Sequence, residues 1–339
     1  MSVEELSEAR GELQLVSSDI NLDAIQFRHT WSPDKLQFRG HLKPNVNLIY
    51  ESKNIPDTDD FDEGTNMLKL NNPSIINFIE TIFWYEYRMD ELKCFSYYIE
   101  LSMNGHDWVR VLDHSNYNCR SFQRLWIHPR LVRYIHIVGT RSTANETFSF
   151  LDVKYNTEDM HKVEIKNGLV VPKFGYNVTS QYMGAFVIKG ENNSNDGSLV
   201  KGYYESQARN DRYTYHELGS GFIVVQLALP YILSSMRLLL WGDDSYSYTI
   251  EASINNEEWE IIVDKSEELT QSWQVLQFKS RPILYIRITG VKSSAGNVFR
   301  IIYLEAPAQV ALDSNIVEDN RAVTNYGRLT KRLKQCIIM

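Results

Sequence analysis

The sequence predicts an all-β protein: two tandem antiparallel jelly-roll sandwiches preceded by a short helical segment. Three observations predict it, namely an internal repeat, side-chain alternation of period two within each copy, and polar turns between the alternating runs. The chain has 339 residues, which at roughly 150 residues per domain leaves room for about two.

The repeat sets the domain plan, because self-similarity at a fixed offset means duplicated structural units. Ser96-Tyr97-Tyr98-Ile99-Glu100-Leu101-Ser102 recurs as Ser247-Tyr248-Thr249-Ile250-Glu251-Ala252-Ser253, an offset of 151 residues. The same offset relates Trp108 to Trp259, Asp113 to Asp264, Gln123 to Gln274, Gly139 to Gly290 and Phe148 to Phe299. Upstream, Pro73 and Trp84 match Pro230 and Trp241 at an offset of 157, so the first copy holds six extra residues after its Trp. Farther back, Gly40 and Pro44 match Gly168 and Pro172 at 128, which makes the front of the first copy 29 residues shorter.

The elements follow in order. Ser2 with Glu5 has capping-box spacing, and Ser18-Asp19 precedes Ile20, Leu22 and Ile25, which predicts short helices over 3–12 and 19–28. In the first copy Tyr97, Ile99 and Leu101 alternate with Tyr98 and Glu100, and in the second Tyr248, Ile250 and Ala252 alternate with Thr249 and Glu251. Period two is the mark of a half-buried strand. Leu284, Ile286 and Ile288 repeat the pattern, and Asn104-Gly105, Asn255-Asn256 and Gly242-Asp243-Asp244 supply the turns. Many short strands in units of this length predict a sandwich or jelly roll. The expected division is a helical stub at 1–35, a front-truncated first unit at 36–157, a second unit at 164–306, and a flexible basic tail at 307–339.

Composition narrows the function classes. Hydrophobic residues are 43% and charged residues 23% of a chain with net charge -8, the balance of a folded protein and not of one that coats nucleic acid. Three cysteines exclude a dense disulfide framework. The first sixteen residues are acidic and lack the apolar stretch of a secretory signal, so a cytoplasmic location is expected and the triplets at Asn145, Asn177 and Asn192 are read as unused for glycosylation.

Beyond these patterns, Leu238-Leu239-Leu240-Trp241-Gly242-Asp243-Asp244-Ser245-Tyr246-Ser247-Tyr248, with Tyr285-Ile286-Arg287-Ile288-Thr289-Gly290, resembles an F5/8 type C (discoidin) domain. Trp108-Val109-Arg110-Val111, Cys119-Arg120-Ser121 and Tyr134-Ile135-His136-Ile137-Val138-Gly139-Thr140 are similar to the tandem discoidin pair of a family whose members begin with BTB and BACK domains, as is His216-Glu217-Leu218-Gly219-Ser220-Gly221. The likeness covers residues 17–306. Only Leu15 to Ile25 resembles the end of a BACK region, so the BTB domain is expected to be absent. The resemblance implies galactose-binding-like jelly rolls, no enzymatic activity, no cofactor, and a role as the partner-recognition part of a BTB-type cullin ubiquitin-ligase adaptor. The alternative it leaves open is a membrane-associated lipid- or glycan-binding discoidin protein.

His136 occupies an outward strand position matched by Arg287, and the histidines and cysteines show no zinc-ligand spacing, so neither a catalytic nor a metal site is expected. Asp113 and Asp264 recur in both copies, as fold-determining residues do, and Trp84, Trp108, Trp241 and Trp259 are read as core aromatics. Asp243 and Asp244 are weak binding candidates in a turn. The better candidate is the loop at 205–216, where Arg209, Arg212 and Tyr213 mix charge with aromatic surface. At the other end, Cys336-Ile337-Ile338-Met339 has the form of a CaaX prenylation box behind Arg328, Lys331, Arg332 and Lys334, which predicts lipidation of Cys336 and attachment to a membrane.

Overall fold

The computed structural model describes residues 65–83, 93–143, 148, 150–193, 199–200, 212–242 and 244–309. The expected helices at 3–12 and 19–28, the front of the first unit, Trp84, Arg209, Asp243 and Cys336 lie outside the described residues. No described helix is long and apolar enough to cross a membrane.

Both units are all-β, as expected, and the repeat in sequence is a repeat in topology. The first unit comprises β1 (Thr65–Phe83), β2 (Phe95–Ser102), β3 (Val109–Cys119), β4 (Phe122–Ser142) and β5 (Phe150–Asn156). Its sheet order is β3-β2-β4-β1-β5. The second unit begins with β6 (Val163–Lys166), β7 (Leu169–Pro172), β8 (Phe186–Lys189), β9 (Glu191–Asn192) and β10 (Thr214–Glu217). It continues with β11 (Ile223–Leu240), β12 (Tyr246–Ser253), β13 (Glu260–Thr270), β14 (Trp273–Ser293) and β15 (Val298–Glu305). Here the order β13-β12-β14-β11-β15 reproduces that of the first unit. Pairing is antiparallel apart from the contact of β7 with β11 at Val170 and Tyr231.

Repeated residues do the same physical work in both copies. Tyr97 and Ile99 in β2, like Tyr248 and Ile250 in β12, are fully buried, while Tyr98, Glu100, Thr249 and Glu251 between them are half-exposed. The turn after each strand is tied in one way: the Ser102 hydroxyl accepts from Gly105 N at 2.9 Å, and the Ser253 hydroxyl accepts from Asn256 N at 2.9 Å. Gly105 and Asn256 stand at φ 77° and 66°, in the left-handed region that Gly and Asn tolerate best. Asp113 and Asp264 each accept from the backbone N–H two residues on, at Ser115 and Ser266, and so shape an irregular stretch of their strands.

One pair is inverted between the copies. At equivalent positions of the neighbouring strands, Glu80 faces Lys154 in the first unit and Arg237 faces Glu305 in the second. The N···O separations are 3.7 Å and 2.5 Å. Both copies thus place opposite charges at these two positions in reversed order, and Glu80 is also held by Arg124 Nε at 2.8 Å.

Long strands β1, β4, β11 and β14 run through bulges, at Lys69/Ser74 in the first unit and Gln226/Tyr231 in the second. A bulge bends its strand, which lets one strand serve both faces of a sandwich. The second bulge, around Ala228 and Pro230, is buried against the first unit. Arg120 N and Gln123 Nε2 both donate to Ala228 O at 3.0 Å, and Gln226 Nε2 donates to Asn118 O at 3.0 Å. Trp126 Nε1 reaches the Tyr176 hydroxyl at 3.1 Å, and Arg120 lies 4.8 Å above the Phe186 ring. Buried side chains of the two units form one continuous hydrophobic cluster, including Leu125, Ala228 and Tyr231. The link between them is ordered too: Asn77 exchanges two hydrogen bonds with Glu158, through Nδ2 to its carbonyl and Oδ1 from its N–H. Two 3-10 turns unanticipated from sequence, Met160–Lys162 and Gln181–Met183, are capped by Asp159 and Ser180.

Candidate functional site

Tyr213, one of the expected loop residues, begins the approach to β10 and is held there by its N–H donating to Asn193 Oδ1 at 2.7 Å. From that position its ring meets Tyr215 at 5.8 Å and Trp241 at 5.4 Å, both edge to face. Tyr215 lies directly opposite Arg300 in the β10–β15 pairing. The Arg300 guanidinium consequently lies over Trp241 at 4.9 Å and over Tyr213 at 5.6 Å. Cation–π contacts of this kind contribute about 0.5–1 kcal/mol each where water still reaches them.

Asp244 closes the cluster. Its carboxylate stands 3.7 Å from Arg300 Nη1 and accepts from the Tyr246 hydroxyl at 3.3 Å. Burial, with the Asp244 charge also raising it against the lowering pull of Arg300, leaves the Tyr246 hydroxyl pushed up to about 12. The carboxylate is engaged by a cation and a phenol that keeps its proton, so the cluster offers contact surface, with charge largely balanced and rings half-exposed.

Of the residues expected from sequence, the structure thus brings Tyr213 and Asp244 together, through Trp241 and Arg300. Arg212 is half-buried beside Tyr213, and among the described residues the cation over these two rings is Arg300. Arg209 and Asp243 lie outside the described residues. The reading of the repeated tryptophans as core aromatics holds in part: Trp108, Trp241 and Trp259 are half-buried, Trp259 packs against the core, and each of the three meets a cationic or imidazole side chain. Trp108 meets His136 at 5.2 Å, Trp259 meets Arg287 at 4.3 Å, and Trp241 meets Arg300. Arg300 was not foreseen, because the repeat does not mark it: the equivalent residue of the first copy is Ser149.

A second polar cluster is buried between the units. His114 Nδ1 lies 3.2 Å from the Tyr97 hydroxyl, which donates to Gln123 Oε1 at 2.8 Å, and Gln123 Nε2 donates onward to Ala228 O. Burial drives His114 down to about 3, so the ring is neutral and its Nδ1–H is available to the Tyr97 oxygen. Cys94 and Cys119 flank this cluster as buried thiols outside any disulfide, both pushed up by burial, which keeps them protonated and unreactive. Among the described residues no group of three or more His, Cys, Asp or Glu side chains could hold a metal.

Comparison with known proteins gives the relatives of the chain. BTB/POZ domain-containing protein 9 of mouse is 36% identical over 358 aligned residues that include 96% of this chain. The chain is a relative of BTB/POZ domain-containing protein 9. The human protein of that name is likewise 36% identical over 96% of the chain, and the fruit-fly protein is 39% identical over 74% of it. The chain spans about 56% of the length of the mouse and human proteins. No family model matches. Among solved structures, a family 32 carbohydrate-binding module of AlyQ in complex with 4,5-unsaturated mannuronic acid covers 36% of this chain and 91% of its own, at 13% identity and TM-score 0.30. The family 32 module of Clostridium perfringens NanJ in complex with galactose covers 38% of this chain and 96% of its own, at 19% identity and TM-score 0.30.

Proposed function

We propose that this chain is a protein-recognition module, serving as the partner-selecting part of a BTB-type adaptor for a cullin ubiquitin ligase. The observation that carries this reading is the half-exposed cluster of Tyr213, Trp241 and Arg300 on a second unit that is locked to the first. Trp, Tyr and Arg are the side chains that most often dominate protein interfaces, because each combines large area with a directional polar group. A continuous core across the two units adds to this by presenting the cluster without an ordering cost on binding. Relationship to BTB/POZ domain-containing protein 9 supports the adaptor context.

Affinity purification from eukaryotic cells tests it, comparing the tagged chain with an Arg300→Ala variant whose thermal stability has been matched. A protein partner recovered by the parent chain and depleted at least about tenfold by the variant is the expected result, since about 1.4 kcal/mol at a hot spot suffices. Retention of lipid vesicles or immobilised glycans with no protein partner would overturn the reading. Cullin components in the recovered material would establish the ligase connection.

A further inference from the structure

The first unit contains a filled docking corner, and the second unit contains the same corner open. In the first unit the corner joins β3 to β4. Asn118 offers its carbonyl, Arg120 its N–H and Gln123 its Nε2, and these take up Gln226 and Ala228 of β11 as a paired segment. Ser121 holds the corner in the left-handed region at φ 60°, and Gln123 Nε2 is steered outward by also donating to Arg120 O at 2.6 Å.

The β13–β14 corner of the second unit repeats this construction 151 residues on. Ser272 has φ 62°, and Gln274 Nε2 donates to Gln271 O at 2.8 Å. Phe83 N bonds Ser121 O at 3.2 Å in one corner and Leu240 N bonds Ser272 O at 3.1 Å in the other. What differs is the cover. Arg120 and Gln123 are 3% and 0% exposed, whereas Gln271 is exposed and Gln274 half-exposed. Around them Leu269 is 59% and Val275 40% exposed, large apolar side chains at the positions of Asn118 and Arg124.

We propose that this corner docks an uncharged, extended segment of a partner protein, gripping its backbone as the first unit grips Gln226 and Ala228. Leu269 and Val275 replace the side chains that bind polar and aromatic groups in the first corner, and Lys265, which donates to Gln274 Oε1 at 3.3 Å where the first corner has Tyr97, is paired with Glu268 at 3.5 Å, so the segment it takes is apolar and neutral. A second copy of this chain is a poor match. Its buried bulge at Ala228 is already occupied, and the equivalent stretch of its first unit carries the exposed Asn72-Pro73 in place of Leu229-Pro230. The inference does not depend on the cluster around Trp241.

The test is a titration of the isotope-labelled full chain with a peptide carrying the sequence of residues 225–231 between solubilising lysines, followed by amide NMR. Saturable shifts of the Gln271 backbone amide and the Gln274 side-chain amide are expected, with affinity at least about tenfold weaker in Leu269→Lys and in Gln274→Leu. Leu269→Lys changes an exposed side chain and keeps the test independent of any folding defect in the second variant. Absence of shifts at the corner, or binding that both variants leave intact, would overturn the proposal. So would shifts of the same amides that grow with concentration of the chain alone, which would make a second copy the occupant.

Discussion

Phe299 lies directly against the backbone of Gly290, so close that a Cβ on that glycine would stand 2.3 Å from the phenylalanine's Cβ and Cγ. Gly139 and Phe148 repeat the contact at 2.2 Å. The recurrence of both residues in the sequence has its reason here, since only glycine lets the ring reach the sheet. Gly290→Ala is expected to cost about 1–3 kcal/mol through overpacking. Equilibrium urea unfolding would register it, and an unchanged midpoint would show that the ring is free to retreat.

Gln123 joins the units through one side-chain amide. Replacing it with Leu removes one of the two donors to Ala228 O and leaves the Tyr97 hydroxyl without its acceptor, a loss of about 1–3 kcal/mol. Calorimetry of Gln123→Leu is expected to show the single unfolding transition of the parent chain broadened or split as the units lose their coupling. A sharp transition at the parent temperature would refute the role.

His114 makes the fold acid-sensitive. The ring is neutral when folded, near 3, and takes up a proton near 6.5 when unfolded, so the unfolded state binds more protons between those values. Stability is therefore full above about pH 6.5 and falls as pH drops toward 3, by about 1.4 kcal/mol per pH unit for the one proton. His216 acts in the same direction, since burial lowers it and its Nε2 accepts from Gly290 N at 2.8 Å. His114→Asn is expected to flatten the slope of stability against pH over this window by about one proton, as read from urea midpoints at several pH values.

The inverted ion pairs predict a rescue. Arg237→Glu places two carboxylates opposite each other in β11 and β15 and also strips the guanidinium that lies 4.5 Å over Trp273. The double variant Arg237→Glu, Glu305→Lys recreates the charge order of Glu80 and Lys154. Coupling of about 0.5–1 kcal/mol between the two substitutions is expected in a double-mutant cycle, with the stacking loss unrecovered. Strict additivity would count against it.

How much was legible depended on whether a residue answered to its own copy or to a distant one. Tyr97 and Tyr248 each meet the repeated phenylalanine, as Gly139 and Gly290 do, and Asp113 and Asp264 accept from the same backbone N–H two residues on, so repetition and period-two alternation exposed them. Trp241 was misread because alternation says that a side chain is covered but not by what, and its cover is Arg300 from another strand. Asp244 and Tyr213 were picked out for polarity and aromatic character, yet the side chain that unites them is one the repeat does not share.

The sequence alone determined the all-β class, the two-unit plan, the equivalent strands and the kinship of the chain, because burial on one sheet face imposes a periodic pattern that survives duplication. Only the tertiary structure decided how the units meet. That junction is made in part by the carbonyls of Ala228 and Asn118, and backbone atoms leave no mark on residue identity. Burial likewise separated the filled corner at Gln123 from the open one at Gln274, which share Ser121/Ser272 and the glutamine but differ in the residues around them.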